Sequence, residues 1–204
     1  LVRNFARTSK VECYILRTSI LAGRLIEDRK GQIHKFDVFY SWVAFFVKIK
    51  QLMLKNSRDI YNTPLKIPVR IVGNQNASIN IIPADYAAKA SIKIMSLKEI
   101  QFNSFHLVNP QEKQMIKPVF DYLNITGYEF VKTLPNSLNK LESFYYKSVG
   151  NIFNPYMQNN GEMLFDNRSL TEILPSDMVC PAINTENFNI LLSFAKENHF
   201  GLRN

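Results

Sequence analysis

Side chains able to do chemistry are sparse in this sequence, and their spacing excludes more than it supports. His34, His106 and His199 stand far apart, with no second histidine or cysteine at ligand spacing, so no metal site is expected. Cys13 and Cys180 are 167 positions apart. That excludes a disulfide framework and a four-cysteine zinc site, and it favours a reduced, intracellular protein. Cys180, in Met178-Val179-Cys180-Pro181, has no histidine beside it to raise its nucleophilicity and reads as a buried thiol. No Gly-x-Ser-x-Gly elbow occurs, so no serine triad is read. His106 sits in an apolar strand-like run, where an imidazole bonded to backbone is the simpler reading than chemistry. Asp85 is placed either as a carboxylate base or as the N-cap of the helix it precedes, and its position favours the cap.

The surroundings of these residues narrow the class. The chain has 204 residues, 46% of them hydrophobic and 12% aromatic. That suffices for one core and is too apolar for a disordered tail. The net charge of +8 comes from lysines and arginines dispersed from Arg3 to Arg203, with no basic run or zinc-finger pattern. A solvated surface, an anionic small molecule or an acidic partner fits better than nucleic acid. The most apolar stretch, Phe36 to Val47, is about a dozen residues and falls short of the roughly 20 needed to span a bilayer. No signal-peptide pattern opens the chain, and a cytoplasmic location is expected. Leu1 stands where Met would begin a protein, and residues 1–9 read as a helix end, which predicts a piece of something longer.

The elements alternate. A strand is expected over Val11–Arg17, a loop around Gly23, and a strong helix over Asp37–Leu54. The aromatics Phe36, Phe39, Tyr40, Trp42, Phe45 and Phe46 exceed one buried stripe, so some are expected to line a pocket or face a partner, with core packing as the alternative. Short strands follow at Val69–Val72 and Ser78–Ile82. A helix begins at Pro83-Ala84-Asp85 and buries Ala87, Ala90, Ile94 and Leu97. A strand at Ser104–Val108 stops at Asn109-Pro110. Pro118 opens a helix through Leu123, and Glu129–Lys132 is the last strand. The remainder reads as helical, broken near Pro155 and Gly161. Thr185 caps a final helix that buries Phe188, Leu191, Leu192 and Ala195. Strands alternating with helices predict an α/β fold.

Three segments in order carry a resemblance: Ile15-Leu16-Arg17-Thr18-Ser19-Ile20-Leu21-Ala22-Gly23, then Asn80-Ile81-Ile82-Pro83-Ala84-Asp85-Tyr86, then Phe105-His106-Leu107-Val108-Asn109-Pro110. Together they resemble the second half of an extended short-chain dehydrogenase/reductase, nearest the branch of fatty acyl-CoA reductases (male-sterility domains) and carrier-protein thioester reductases. The likeness covers about residues 1–130, and more loosely a tail with Phe165-Asp166-Asn167 and Phe200-Gly201. Thr18 departs from the proline usual there. The Gly-rich turn that holds a dinucleotide pyrophosphate is absent, because no two glycines lie closer than eight positions. The Tyr-x-x-x-Lys helix belongs upstream of Leu1. The formal match Tyr128 to Lys132 lies in a strand pattern, which would set the two side chains about 13 Å apart.

The resemblance implies an α/β fold, the C-terminal part of an extended Rossmann-type reductase. It divides residues 1–204 into residual Rossmann strands with an inserted helix over 1–110 and a mostly helical substrate subdomain over 111–204. Thr18, Ser19 and Ile20 are the implied cofactor-binding residues, beside NADP or NAD in the intact protein and with none bound to this chain alone. The implied activity is reduction of an acyl thioester, on coenzyme A or a carrier protein, or of a related carbonyl, absent without the missing half. Alternatives are a nucleotide-sugar epimerase or dehydratase fragment, or a non-catalytic binding subunit. Association with the missing half or with a second copy is the expected assembly.

Overall fold

Between Ile15 and Ala22 one aliphatic run makes two strands, because the chain changes partners at Ser19. The structure, a computed structural model, describes residues 2–9, 11–55, 57–97, 103–111, 113–114, 116–158 and 165–202. Helix α1 (Val2–Ser9) leads to β1 (Ile15–Thr18) and β2 (Ile20–Ala22), then a long loop enters α2 (Phe39–Met53). Strands β3 (Leu65–Lys66), β4 (Arg70–Val72), β5 (Ser78–Ile79) and β6 (Ile81–Pro83) precede α3 (Ala84–Ser96). Next come β7 (Ser104–Leu107), β8 (Lys113–Gln114), α4 (Ile116–Tyr122), β9 (Ile125–Thr126) and β10 (Glu129–Val131). Helices α5 (Lys140–Tyr145), α6 (Asn151–Met157), α7 (Arg168–Thr171) and α8 (Thr185–Glu197) complete the order, with a π-helical turn at Tyr146–Gly150 and a 3₁₀ turn at His199–Gly201.

Among the described residues the strands pair in twos. β1 runs parallel to β7, β2 to β6, β3 to β9 and β4 to β10, while β5 and β8 are antiparallel. Short parallel pairs with helices between them make this the mixed α/β fold that the alternation predicts. The expected single strand over Ser78–Ile82 is divided at Asn80, whose amide is committed elsewhere. Asn80 Nδ2 donates to the Asn109 carbonyl and Asn80 Oδ1 accepts from the Asn109 N–H, both at 2.8 Å.

The main core is built around α2, which is buried on almost every side. Trp42 stacks on Phe153 with centroids 4.7 Å apart and meets Phe46 and Phe120 edge-on, while its Nε1–H donates to Tyr145 Oη at 3.2 Å. Phe39, Tyr40, Phe45 and Phe46 are buried too. The expectation that some aromatics of this helix line a pocket or face a partner is corrected: helices pack around α2 and use them as core. Lys50, on the same helix, is 1% exposed. Its ammonium is kept by three carbonyls, of Tyr61, Thr63 and Leu123. A second, smaller core joins α3 (Tyr86, Ala87, Ala90, Ile94) to Phe105, Leu107, Leu170 and Cys180.

Two capping expectations shift. Asn184, not Thr185, caps α8, its side chain accepting from the Asn187 N–H. Pro83 occupies the N-cap position of α3, and Asp85 lies inside the first turn. Pro155 sits within α6 without ending it. Gly161 lies outside the described residues.

Candidate functional site

The partner exchange at Ser19 opens a crevice at the carboxyl end of β1. The Ser19 N–H still donates to Leu107 of β7 at 3.0 Å, whereas the Ile20 N–H donates to the Asn80 carbonyl at 3.3 Å, beside β6. Where neighbouring parallel strands part in this way, a ligand can reach between them from the carboxyl ends. A cavity of about 1240 Å³ lies there. Thr18, Ser19 and Ile20, the three residues singled out from the sequence, all line it. Asp85 lines it as well; His106 and Cys180 do not.

A second wall is the loop after β2, and two glycines give it its shape. A Cβ on Gly23 would meet the Gly31 carbonyl oxygen at 2.1 Å, and one on Gly31, whose φ is +85°, would meet the Phe194 β-carbon at 2.7 Å. Only glycine tolerates both demands. The loop closes on itself through the Arg24 N–H to the Gln32 carbonyl (3.0 Å) and the Gly31 N–H to the Arg24 carbonyl (2.7 Å). Tyr40 Oη accepts from the Gly23 N–H at 3.1 Å, tying the loop to α2.

Asp85 performs the loop's third attachment. Its carboxylate accepts from the N–H groups of Leu25, Ile26 and Glu27 at 2.7 to 3.2 Å, and from Tyr86 at 3.0 Å. Burial alone would push its pKa up; the four backbone donors outweigh burial and hold it below the usual carboxylate value. A carboxylate spent in this way is a loop anchor, neither the cap of α3 nor a base.

The charged groups of the lining are mostly cancelled. Lys89 pairs with Glu27, and Lys35 with Asp37 at 2.8 Å. Arg24, half-buried, has no ion pair among the described residues. Two buried polar atoms in the lining, Ser19 Oγ and Gln32 Oε1, find no hydrogen-bond partner among the described residues. Such an atom costs about 1–3 kcal/mol when left unpaired, so it calls for an explanation. Val38, at the entry to α2, has φ 39°, an uncommon backbone for a β-branched residue, and also borders the cavity. None of Arg24, Gln32 and Val38 was singled out from the sequence. Gln32 in particular lies in a polar stretch where only the closure by Gly23 and Gly31 turns it inward.

The remaining candidates resolve as structure. His106 is half-buried, with Nδ1 3.0 Å from the Asp166 carbonyl and its ring against Phe165. Burial pushes the Cys180 thiol up to about 12, with Asp85 adding to the effect, so it is no nucleophile at neutral pH. Tyr128 stacks on Phe120 at 4.0 Å in strand surroundings and does not pair with Lys132 as an acid–base couple. Among the described residues no group of three potential metal ligands comes together, and no helix is long and apolar enough to cross a membrane.

No protein-family model matches the sequence, and neither does any curated protein. Solved structures do match its fold. The terminal R domain of the myxalamid PKS-NRPS biosynthetic pathway superposes with a TM-score of 0.63 at 18% identity, over 98% of this chain and 47% of that one. The epimerase Mth375 from Methanothermobacter thermautotrophicus gives 0.52 at 11%, over 96% and 46%. UDP-glucuronic acid 4-epimerase from Bacillus cereus, solved with UDP-glucuronic acid and NAD, gives 0.50 at 12%, over 96% and 49%. The chain spans about half the length of these structures and shares their α/β fold.

Proposed function

We propose that this chain is the C-terminal, substrate-binding portion of a cytoplasmic NAD(P)-dependent reductase of the male-sterility and thioester-reductase kind, acting on an acyl thioester or a related carbonyl. One observation carries the reading: the strand exchange at Ser19 sets Thr18, Ser19 and Ile20 on the wall of a large cavity, with the Ser19 hydroxyl unclaimed by the fold. Those three residues would border NADP or NAD, and a serine hydroxyl that can both donate and accept suits a polar ligand group there. When bound, the cofactor supplies the hydride that converts a thioester carbonyl to the aldehyde as the thiol leaves. The loop from Gly23 to Gln32 and helix α3 form the substrate side.

Holding the dinucleotide pyrophosphate and supplying the catalytic tyrosine fall to a second half, since neither a Gly-rich turn nor a helical Tyr-x-x-x-Lys occurs in these 204 residues. The chain alone is therefore inactive and works in association with that half. A nucleotide-sugar epimerase fragment is the second reading, favoured by the fold it shares with Mth375. The product of the complete reading frame decides between them. Consumption of NADPH with an acyl-coenzyme A supports the reductase; turnover of only UDP- or dTDP-sugars sinks it. A frame lacking both missing motifs would instead leave a non-catalytic binding subunit.

A further inference from the structure

Lys50 is 1% exposed, and among the described residues no carboxylate pairs with it. An ammonium taken out of water is costly unless its charge and its protons are all met. Nζ carries three N–H donors, and three backbone carbonyls take them: Tyr61 at 3.3 Å, Thr63 at 2.8 Å and Leu123. A neutral amine has only two N–H groups and would turn its lone pair on the third oxygen, so the geometry demands the charged form. None of these four residues lines the cavity.

The three oxygens are held in place without help from the lysine. Asp59 folds the loop that carries two of them. Its side chain accepts from the N–H groups of Tyr61 and Asn62 at 3.1 and 3.2 Å, and its carbonyl accepts from the Thr63 N–H and hydroxyl. Leu123 follows the last turn of α4, where helix carbonyls lack partners within the helix. Asn124, at φ 50°, turns the chain away there and donates from Nδ2 to the Tyr61 carbonyl at 3.3 Å, joining the two segments. Lys196 Nζ adds a hold from α8, 4.5 Å from the centre of the Tyr61 ring.

Converging carbonyls can replace the hydration shell of a monovalent cation, whereas sites for divalent ions draw on carboxylates. We propose that the Tyr61, Thr63 and Leu123 carbonyls form a monovalent-cation site that the chain fills with its own Lys50 ammonium, and that with this side chain cut back the site binds methylammonium, ammonium or K⁺. Methylammonium suits it best: three N–H groups meet the three carbonyls, and the methyl group takes the place of the lysine Cε. The tethered cation fastens the 57–63 loop and the end of α4 to α2, whichever ligand the cavity takes.

Thermal unfolding of Lys50→Ala, Lys50→Met and the parent in methylammonium, ammonium, potassium, lithium and tetramethylammonium chlorides at equal ionic strength tests the assignment. The Ala variant should melt below the parent. Methylammonium at roughly five times its dissociation constant should return about 2–4 °C of the loss, with ammonium and potassium next. Tetramethylammonium, which has no N–H donor, should return none. Lys50→Met fills the space with an apolar stem and should ignore the choice of cation, as should the parent. A second readout needs no destabilised variant: the parent's ¹⁵N spectrum should hold a lysine ammonium signal that exchanges slowly with water and is missing in Lys50→Met. An Ala variant that behaves alike in every salt, or that no ammonium salt folds, would overturn the site. So would an equal response from Lys50→Met, or the lack of any slowly exchanging ammonium in the parent.

Discussion

Asp85 shows how one side chain can look catalytic and be structural. Its carboxylate gathers three loop amides and its own neighbour's, so Asp85→Ala strands those donors and should lower stability by about 2–3 kcal/mol in urea unfolding at pH 7. Asn at this position keeps one acceptor and should recover part of the loss. The folded pKa is depressed, so this stabilisation is present above the ordinary carboxylate value near 4 and is lost as pH falls through the lowered one. The parent and the Ala variant should therefore converge in stability in strong acid. The two thiols give a second residue-level outcome. Cys180 is 7% exposed with its thiol shifted to about 12, so a thiol reagent at pH 8 should modify half-buried Cys13 alone in the native protein and both after unfolding. The sequence shows that Asp85 opens α3, yet not where its carboxylate goes, because the three amides it holds lie about sixty residues earlier.

Among the elements, α5 is held by an arrangement that spans the fold. Asn139 and Glu142 form a capping box, and Glu142, 1% exposed, also accepts from the Arg70 backbone at 3.0 Å and its guanidinium at 2.6 and 2.7 Å. The guanidinium chiefly, against the cost of burial and with help from the Asn139 and Arg70 amides, holds the Glu142 carboxyl at about 2. Its stabilising contribution is complete above about 4.5 and disappears toward pH 2, so acid unfolding should fall in that window. Glu142→Ala leaves Arg70 with only the Ser137 carbonyl to donate to and should cost about 2 kcal/mol in denaturant unfolding, with its largest deficit above pH 5. Long periodic elements such as α2, α3 and α8 are legible in the sequence because their apolar spacing is dictated by burial. The two-residue strands β3, β8 and β9 are not, since each exists only through a partner distant in sequence. Asn80 divides β5 from β6 for the same reason: its partner is Asn109.

At the scale of the whole molecule, most of the site lies in segments that the sequence already sets apart: the strand exit at Thr18–Ile20 and the start of α3. The loop wall with Arg24 and Gln32 emerges only when Gly23 and Gly31 close the loop and α3 is seated on β6. The central claim is that Ser19 faces bound ligand, and it meets its most direct test in an atom the fold leaves unused. Ser19→Ala removes a buried hydroxyl that has no partner among the described residues, so it should leave the unfolding midpoint unchanged or slightly raised. In the product of the complete reading frame, the same substitution should weaken use of NADPH or of an acyl thioester by roughly two- to tenfold, the worth of one hydrogen bond. Steady-state kinetics of that variant beside the parent is the measurement. Loss of activity at unchanged stability is the predicted result, and equal kinetics with reduced stability would contradict the account.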